Sequence, residues 1–420
     1  MKKLKNAGDT NLLRYALRLV EIYLYLFLIL FSGYRYQMAG PDLSGILFIL
    51  IAIITAAWFS YLLIKQKKLH LPVRPGVYIF LGLTAITSTV HSINIAISVY
   101  ELVFWFIAAF IFLVVYNLVL YGYPKKHLVN AALITGAVFL ALKSYQAVYL
   151  FMARTNTCSK IIRLQNKTAA FAGMILFLSL AVAFNRQGRA KIFPYTLAVF
   201  SVIIALLTGS RGGLVAIAAA AIVFINVSDL TDQTKILKDW RNAVTVLSLI
   251  VLAPVAAIKI LRPVECVSLA DPGAEPSLNS AWTSNITARE DSWKLAVNIT
   301  NAYPGLGSGP GTFSLFAVPA FEGSGAAAHA HNIYLNTMAE RGLIGLSALI
   351  AALLVTITYI GIIRPDPALA AAGVAIIVAY CIQGLVDVVA VEPFILRYMA
   401  VILALAMTPG RESIKHAADY

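Results

Sequence analysis

Long apolar runs restrict what this sequence can fold into. Runs of about 17 to 25 residues recur along the chain, and each matches the length that spans a bilayer core of ~30 Å. Hydrophobic residues make up 60% of the chain and charged residues only 12%, whereas a soluble domain is about one quarter charged. The sequence therefore predicts an all-α polytopic membrane protein with one integrated helical body.

The runs predict about twelve membrane spans. They lie near residues 12–32, 43–65, 76–90, 96–122, 128–152, 168–184, 191–208, 213–227, 243–261, 342–363, 368–388 and 394–408. The first run is longer than the core of a signal peptide and no small-residue cleavage site follows it, so it is included as a span. Lys and Arg recur in alternate connections, and the positive-inside rule then places both termini in the cytoplasm.

The connection before the tenth span is much longer than the others. The prediction divides the chain into residues 1–261 with nine spans, residues 262–341 as a large outer loop, and residues 342–420 with three spans and a cytoplasmic tail. Within the loop, Thr287 and Glu290 have the spacing of a capping box, which predicts a helix of about ten residues. The glycine-rich strip 301–313 could approach a ligand closely through its backbone.

Basic residues on the outer side run against this topology. Arg163 lies in the outer loop 153–167, Arg211 follows the seventh span, and Arg289 lies in the large outer loop. Lys and Arg are normally enriched on the cytoplasmic side. Two explanations stay open: pairing with carboxylates or lipid phosphates, or a pocket for an anionic substrate at the outer membrane face.

Charged residues within or near the ends of predicted spans form a second group of candidates. Lys143 lies in the fifth span, Glu101 near the outer end of the fourth, and Asp387 near the outer end of the eleventh. Ionisable groups in a membrane are functional candidates by default, although Lys143 and Glu101 could equally form a structural ion pair. His331 and Asn332 precede the tenth span, where an imidazole can titrate near neutral pH and still contact water.

Several classes of function are disfavoured by composition. The net charge of +14 reports cytoplasmic loops and anionic headgroups in a membrane protein, so we predict no nucleic-acid partner. Three cysteines provide neither a disulfide framework nor metal-ligand spacing, and no HxxxH pair or carboxylate cluster predicts a metal. Cys158 and Cys266 both fall on the outer side, and a disulfide between them is one alternative.

Four motifs in the second half of the chain coincide with a known pattern. They are SRGG at 210–213, AREDSW at 288–293, NAYPGLGSGPGTF at 301–313 and HNIYLNTMAERGLIG at 331–345. Together they resemble the O-antigen ligase family of polytopic glycosyltransferases, over roughly residues 160–400. In the loop 153–167, where that family often has two asparagines, only Asn166 fits.

The resemblance implies a GT-C-like membrane fold whose loop 262–341 is periplasmic. It further implies transfer of O-antigen polysaccharide from undecaprenyl diphosphate to a sugar of the lipid A-core oligosaccharide, at the bacterial inner membrane. No nucleotide sugar, cofactor or metal is expected. An O-antigen polymerase would use the same machinery on a lipid-linked acceptor, and a transporter for a lipid-linked glycan is the alternative from another class.

The same resemblance suggests ligands for the donor diphosphate. A guanidinium fork binds phosphate oxygens in a bidentate way and stays charged, so Arg211 and Arg289 are the expected ligands. Lys143 and Arg163 are further candidates for binding the diphosphate. Glu290 could orient Arg289 or act as a base.

The resemblance also suggests a base. His331 would accept the proton of the attacking sugar hydroxyl in a single displacement with inversion, and binding of phosphate or acceptor is its open alternative. Asn332 is a candidate substrate-binding residue that is more readily explained as fixing the turn. Asp387 could orient His331 or the acceptor sugar.

Overall fold

A computed structural model of the chain describes residues 42–66, 69–72, 74–152, 158–229, 278–320, 329–363, 366–389 and 392–408. These ranges contain helices and no strand. The helices are α1 (Asp42–Gln66), α2 (Pro75–Val90), α3 (Ile95–Leu120), α4 (Lys125–Met152), α5 (Cys158–Phe184), α6 (Ile192–Leu207), α7 (Arg211–Asp229), α8 (Leu278–Ala302), α9 (Phe313–Ala320), α10 (Ile333–Ile363), α11 (Pro367–Gln383) and α12 (Pro393–Met407). A short 3₁₀ helix, Gly188–Lys191, precedes α6.

The all-α polytopic prediction is confirmed for the described ranges. All the predicted spans except 12–32 and 243–261 coincide with helices, and those two lie outside the described residues. Within the described ranges, six helical segments are long and apolar enough to cross a membrane: Ile95–Leu120, Lys125–Tyr145, Asn166–Phe184, Gly188–Leu207, Arg211–Ser228 and Ile333–Gly361. The total of twelve spans, the division at residues 261 and 341, and the orientation of the termini stay predictions.

Small residues let the central helices pack closely. Helix α11 begins with a run of alanines that is buried from Ala368 onward, and it packs against α5, α7 and α12. Gly373 faces Ala406 of α12 so closely that a Cβ at Gly373 would lie 2.8 Å from the Ala406 methyl group. Such contacts are typical of membrane bundles, where lipid supplies no hydrophobic drive for helices to associate.

A backbone break divides α10 at Gly342. Gly342 has φ 67 and ψ −175, a conformation that is essentially restricted to glycine. The glycine-rich strip forms hydrogen bonds on both sides of the break. Two amides of the strip donate to carbonyls before Gly342, and two carbonyls of the strip accept from amides after Gly342. The four bonds are Ser308 N to Ala339 O at 3.0 Å, Gly309 N to Glu340 O at 2.9 Å, Leu343 N to Pro304 O at 3.0 Å and Ile344 N to Gly305 O at 3.4 Å.

The glycines of the strip allow it to pack closely against other parts of the protein. The position of a Cβ on Gly307 is taken by the backbone of Glu340 and Arg341, and that of a Cβ on Gly309 by the Ser92 side chain. The strip therefore fits closely against α10 and the start of α3. Gly342, in turn, is approached by a loop and not by a neighbouring helix.

The loop helix is longer than the sequence suggested. Helix α8 begins at Leu278, so Thr287 lies inside it, and the predicted N-cap at Thr287 was wrong. Arg289 is consequently a mid-helix residue and not part of a first turn. Cys266 lies outside the described residues, as does the side chain of Cys158, so the disulfide stays untested.

Replacing Gly342 with Ala tests the helix break. We expect backbone strain alone to lower the free energy of unfolding by roughly 1–3 kcal/mol. The loss should be larger than this, because an added Cβ would also overlap the carbonyl of Gly305. Gly82→Ala is the matched control, since no atom lies within 4 Å of a Cβ there. Thermal unfolding of the detergent-solubilised variants measures both, and equal stability of the two would contradict the structure.

Candidate active site

The histidine turn is held in place by backbone and amide contacts. Asn332 caps α10, and its Oδ1 accepts from Tyr334 N at 2.9 Å and from Leu335 N at 3.1 Å. Its Nδ2 donates to the carbonyl oxygen of Leu385 at 3.0 Å, and Ile333 N donates to Gly384 O at 2.7 Å. The turn is therefore fixed to the segment that follows α11. Asn332 has an anchoring role in this geometry.

His331 lies beside Asp387. The Nδ1 atom of His331 is 3.5 Å from Oδ1 of Asp387, and 34% of the His331 side chain is exposed, against 13% for Asp387. His331 has φ 50, a left-handed conformation that is uncommon for a residue with a side chain. The turn thus presents an imidazole that is partly open to solvent and backed by a mostly buried carboxylate.

Asp387 is held in its charged form. Burial of the carboxyl by itself raises its pKa, but the contact with His331, the charges of His329 and His331, and the amide of Val388 together lower the pKa to about 2. Val388 N donates to Oδ1 at 2.8 Å. A carboxylate held by such donors stays ionised near neutral pH, so it can orient and stabilise the imidazole that faces it.

A chain of polar side chains connects Asp387 to the SRGG motif. Asn166 Nδ2 donates to Oδ2 of Asp387 at 2.7 Å, and Ser210 Oγ donates to Oδ1 of Asn166 at 2.7 Å. Ser210 also accepts from Gly213 N at 3.3 Å, as an N-cap of α7. We call Ser210, Asn166, Asp387 and His331 the polar chain. It joins α5, α7, the segment after α11 and the histidine turn.

Arg211 stands at the end of the polar chain. It is the first residue of α7 and is exposed. The next residue, Gly212, lies against the side chain of Val386, next to Asp387. The N-terminus of a helix favours anions because its amides are open and its dipole is positive there. Arg211 therefore lies at an anion-compatible helix end, next in sequence to the Ser210 that bonds to Asn166.

Arg289 lies on α8, on the face that packs against the histidine turn further along the helix. Ala296 and Ile299 of α8 pack in one cluster with Ala330 and Ala339, so this face of α8 lies against the histidine turn and α10. Arg289 precedes Ala296 by seven residues, or about two helical turns, and falls on the same face about 10 Å along the axis. No hydrogen bond or ion pair links Arg289 to the polar chain among the described residues.

Of the two further basic candidates, Lys143 and Arg163, the structure describes the surroundings of Lys143. Lys143 is buried, with its Nζ 5.5 Å from the ring centre of Phe139 and 5.1 Å from that of Phe394. Lys167, next to Asn166, forms an ion pair with Glu392. Arg163 lies on α5, and its side chain is outside those that the structure describes.

The sequence prediction missed a buried charge cluster at the break of α10. The guanidinium carbon of Arg341 lies 4.2 Å from the ring centre of Trp105, and Trp105 donates to Oε1 of Glu101 at 3.3 Å. Glu340 accepts from Phe313 N at 3.2 Å, and Arg341 is attracted by both carboxylates. Glu101 thus lies with Arg341 and not in the pair with Lys143 that the sequence left open.

A signal for this cluster was present in the sequence. Glu340 and Arg341 are adjacent charges just before an apolar run, and charges within membrane helices are candidates by default. Ser210 belongs to the SRGG motif and Asn166 matches an asparagine position of the family, but neither fact predicts a partner for them. Their connection to Asp387 requires contacts between residues that are far apart in the chain.

Comparison with known proteins supports the resemblance seen in the motifs. Residues 196–350 match a family model described as O-Antigen ligase. The matched part runs from α6 into α10 and contains Arg211, Arg289, His331 and Asn332. Asn166 and Asp387 fall outside it. No curated protein matches the chain.

Replacing Arg341 with Met tests the buried charge cluster. We expect a loss of roughly 3–5 kcal/mol in the free energy of unfolding, because Glu101 and Glu340 would be left buried without their cation. The double variant Glu101→Gln with Arg341→Met should be less destabilised than the sum of the two single variants, since removing a carboxylate relieves part of that cost. Additive effects in thermal unfolding would contradict the cluster.

Proposed function

We propose that the protein transfers O-antigen polysaccharide from undecaprenyl diphosphate to a sugar of the lipid A-core oligosaccharide. The match of residues 196–350 to a family model described as O-Antigen ligase supports this proposal. The reaction takes place at the periplasmic face of the bacterial inner membrane, without a metal, and inverts the anomeric carbon. The partners are the lipid-linked donor, the lipid-anchored acceptor and the surrounding lipids.

The observation that carries this proposal is the polar chain. It brings the SRGG motif and the histidine turn together, although Ser210 and His331 are far apart in sequence and lie on different elements. The polar chain thus joins a charged carboxylate and an imidazole to the start of α7, where Arg211 supplies an exposed guanidinium next in sequence to Ser210. That combination suits a reaction in which a hydroxyl loses a proton while a diphosphate leaves.

His331 is the base in this mechanism. With the proton of a neutral imidazole on Nδ1, facing Asp387, the lone pair of Nε2 is free to accept the proton of the acceptor hydroxyl. The hydroxyl oxygen attacks the anomeric carbon of the donor glycan, and the bond from that carbon to the diphosphate oxygen breaks. The charge of Asp387 stabilises the imidazolium that forms.

Arg211 and Arg289 bind the diphosphate. Negative charge grows on the leaving oxygen, and fixed cations aimed at developing charge lower the barrier. Arg211 comes from the start of α7 and Arg289 from the face of α8 that packs toward the turn. The basic residues on the outer side then serve an anionic substrate. Lys143 and Arg163 are the further candidates for the same role.

The break in α10 at Gly342 is a feature that a transporter would also have. Transporters bind substrates at broken membrane helices, and α10 is broken at Gly342. Here, however, two carbonyls before the break and two amides after it are bonded to the glycine-rich strip. These groups have partners within the protein itself, so the break is explained by packing and does not require a transported substrate.

Separate His331→Ala and Arg211→Ala variants test the proposal in a strain that lacks its own ligase. We expect losses of ~10²–10⁴-fold for His331→Ala, which removes the base, and ~10²–10³-fold for Arg211→Ala, which removes a fixed cation. Lipopolysaccharide gels would show core without the polymer ladder, while lipid-linked polymer accumulates. His91→Ala, an exposed histidine, is the control that keeps the ladder.

Two other outcomes would overturn this proposal. Lipid-linked glycan that stays at a single repeat would show a polymerase, because polymer would then fail to form before ligation. Full ladders in both variants, with the proteins present at wild-type level, would remove His331 and Arg211 from the reaction.

Asn166 provides a test of the polar chain. Asn166→Ala removes the donor to Asp387, and we expect a loss of about tenfold in transfer, the value of one misplaced hydrogen bond of ~1.4 kcal/mol. Asn166→Asp has nearly the same size but places a second carboxylate beside Asp387, so it should lose more activity than Asn166→Ala. A milder effect of Asn166→Asp in the same assay would mean that Asn166 only fills space.

A further inference from the structure

Three groups with metal-binding chemistry meet at the histidine turn. One ligand atom each from His329, His331 and Asp387 can be chosen so that all three lie within 4.8 Å of one another. The rings of His329 and His331 meet edge to face, with centres 4.5 Å apart. The sequence prediction of no metal considered linear spacing alone, and Asp387 comes from another part of the chain.

The geometry of the turn fits a small metal ion. The Nδ1 atom of His331 is buried and has no hydrogen-bond partner among the described residues, and it lies 3.5 Å from Oδ1 of Asp387. Bonds of ~2.0–2.1 Å in a tetrahedral zinc site place neighbouring ligand atoms ~3.3–3.4 Å apart. A single ion between these two atoms would therefore need little movement of either side chain.

We propose that His329, His331 and Asp387 form a binding site for a divalent transition metal, with Zn²⁺ as the best fit, and that the bound metal inhibits transfer. Two imidazoles and a carboxylate suit zinc, copper or nickel, whereas Mg²⁺ and Ca²⁺ prefer oxygen ligands. Three protein ligands leave the fourth tetrahedral position to water.

Neighbouring donors already orient the carboxylate for this task. Asn166 Nδ2 bonds to Oδ2 of Asp387 and Val388 N bonds to Oδ1. Such outer contacts fix ligating groups in place, and their loss commonly costs ~10–100-fold in metal affinity. The metal site therefore shares its supporting residues with the polar chain.

Inhibition follows from the chemistry of the imidazole. A metal on Nδ1 of His331 takes the lone pair there, so the ring keeps its proton on Nε2 and can no longer accept one from a sugar hydroxyl. It also takes the charge of Asp387 away from the imidazole. This consequence rests on the proposed function, whereas the existence of the site does not.

Zinc binding to the untagged, full-length protein in detergent tests the site directly. Competition with a chromophoric zinc chelator should show one equivalent of bound Zn²⁺ in the wild type and in the control His91→Ala. The His329→Ala and Asp387→Asn variants should each lose that equivalent or bind it at least ~10-fold more weakly, and Asn166→Ala should weaken it ~10–100-fold. Binding that is equal in all five proteins, or that excess Mg²⁺ competes away, would overturn the proposal.

Transfer assays with and without Zn²⁺ test the inhibition. Each variant is compared with its own activity in chelator. Wild type and His91→Ala should lose activity in Zn²⁺ and regain it when chelator is added, whereas His329→Ala should keep its own activity at the same concentration. Inhibition of His329→Ala equal to that of the wild type would overturn the regulatory part. His331→Ala also separates the two proposals. If this variant lost zinc binding but kept full transfer activity, the proposed function with His331 as its base would be wrong, whereas the metal site would be supported.

Discussion

Reciprocal backbone hydrogen bonds between the glycine-rich strip and the break in α10 hold the active region together. An unsatisfied amide or carbonyl in an apolar environment costs several kcal/mol, and the break at Gly342 would leave such groups on both sides. The strip satisfies four of them. Because α8 leads directly into the strip and the histidine turn leads directly into α10, this junction fixes α8 relative to His331. The described part of the long loop that contains α8 and the strip is thereby joined to the membrane helices.

The buried charge cluster strengthens the same junction. Arg341 is the residue before Gly342, and its guanidinium stacks on Trp105 of α3 near Glu101. Gly345 leaves space for that side chain, since a Cβ at Gly345 would overlap the Cβ of Arg341. A charge in an apolar helix is costly unless it is paired. The cluster therefore requires α3 and the first half of α10 to come together, which the strip between them also requires.

The membrane helices were predictable because each depends on a local property of the sequence. An apolar run of sufficient length must be a helix in lipid, and the span predicted to begin at 342 even starts at the observed break. Helix α8 was harder to predict. Thr287 and Glu290 resemble a start signal, but the helix begins at Leu278, before both of them. The spacing of a capping box can therefore occur inside a helix, where it does not mark the first turn.

The polar chain could be predicted only in part, and for a different reason. His331, Arg211 and Asp387 stand out as polar groups in apolar surroundings, whereas Asn166 is marked only by the family resemblance and without a role. Its partner Asp387 is 221 positions away, and no spacing rule connects such a pair. The resemblance indicated candidate residues, and the fold supplies the hydrogen bonds that connect them. The roles of Arg289, Lys143 and Arg163 depend on a bound diphosphate, so they stay predictions.

The proposed base and the proposed metal site follow from one arrangement. A carboxylate that orients an imidazole places an oxygen and a nitrogen at nearly the separation of two ligands on a zinc ion. Metal binding differs from proton transfer in that it also requires a third ligand. In this chain the proposed third ligand is His329, whose ring meets that of His331 edge to face. His331 and Asp387 suffice for taking a proton, whereas holding a metal also needs His329. The two properties can therefore change independently, although they share the same pair of atoms.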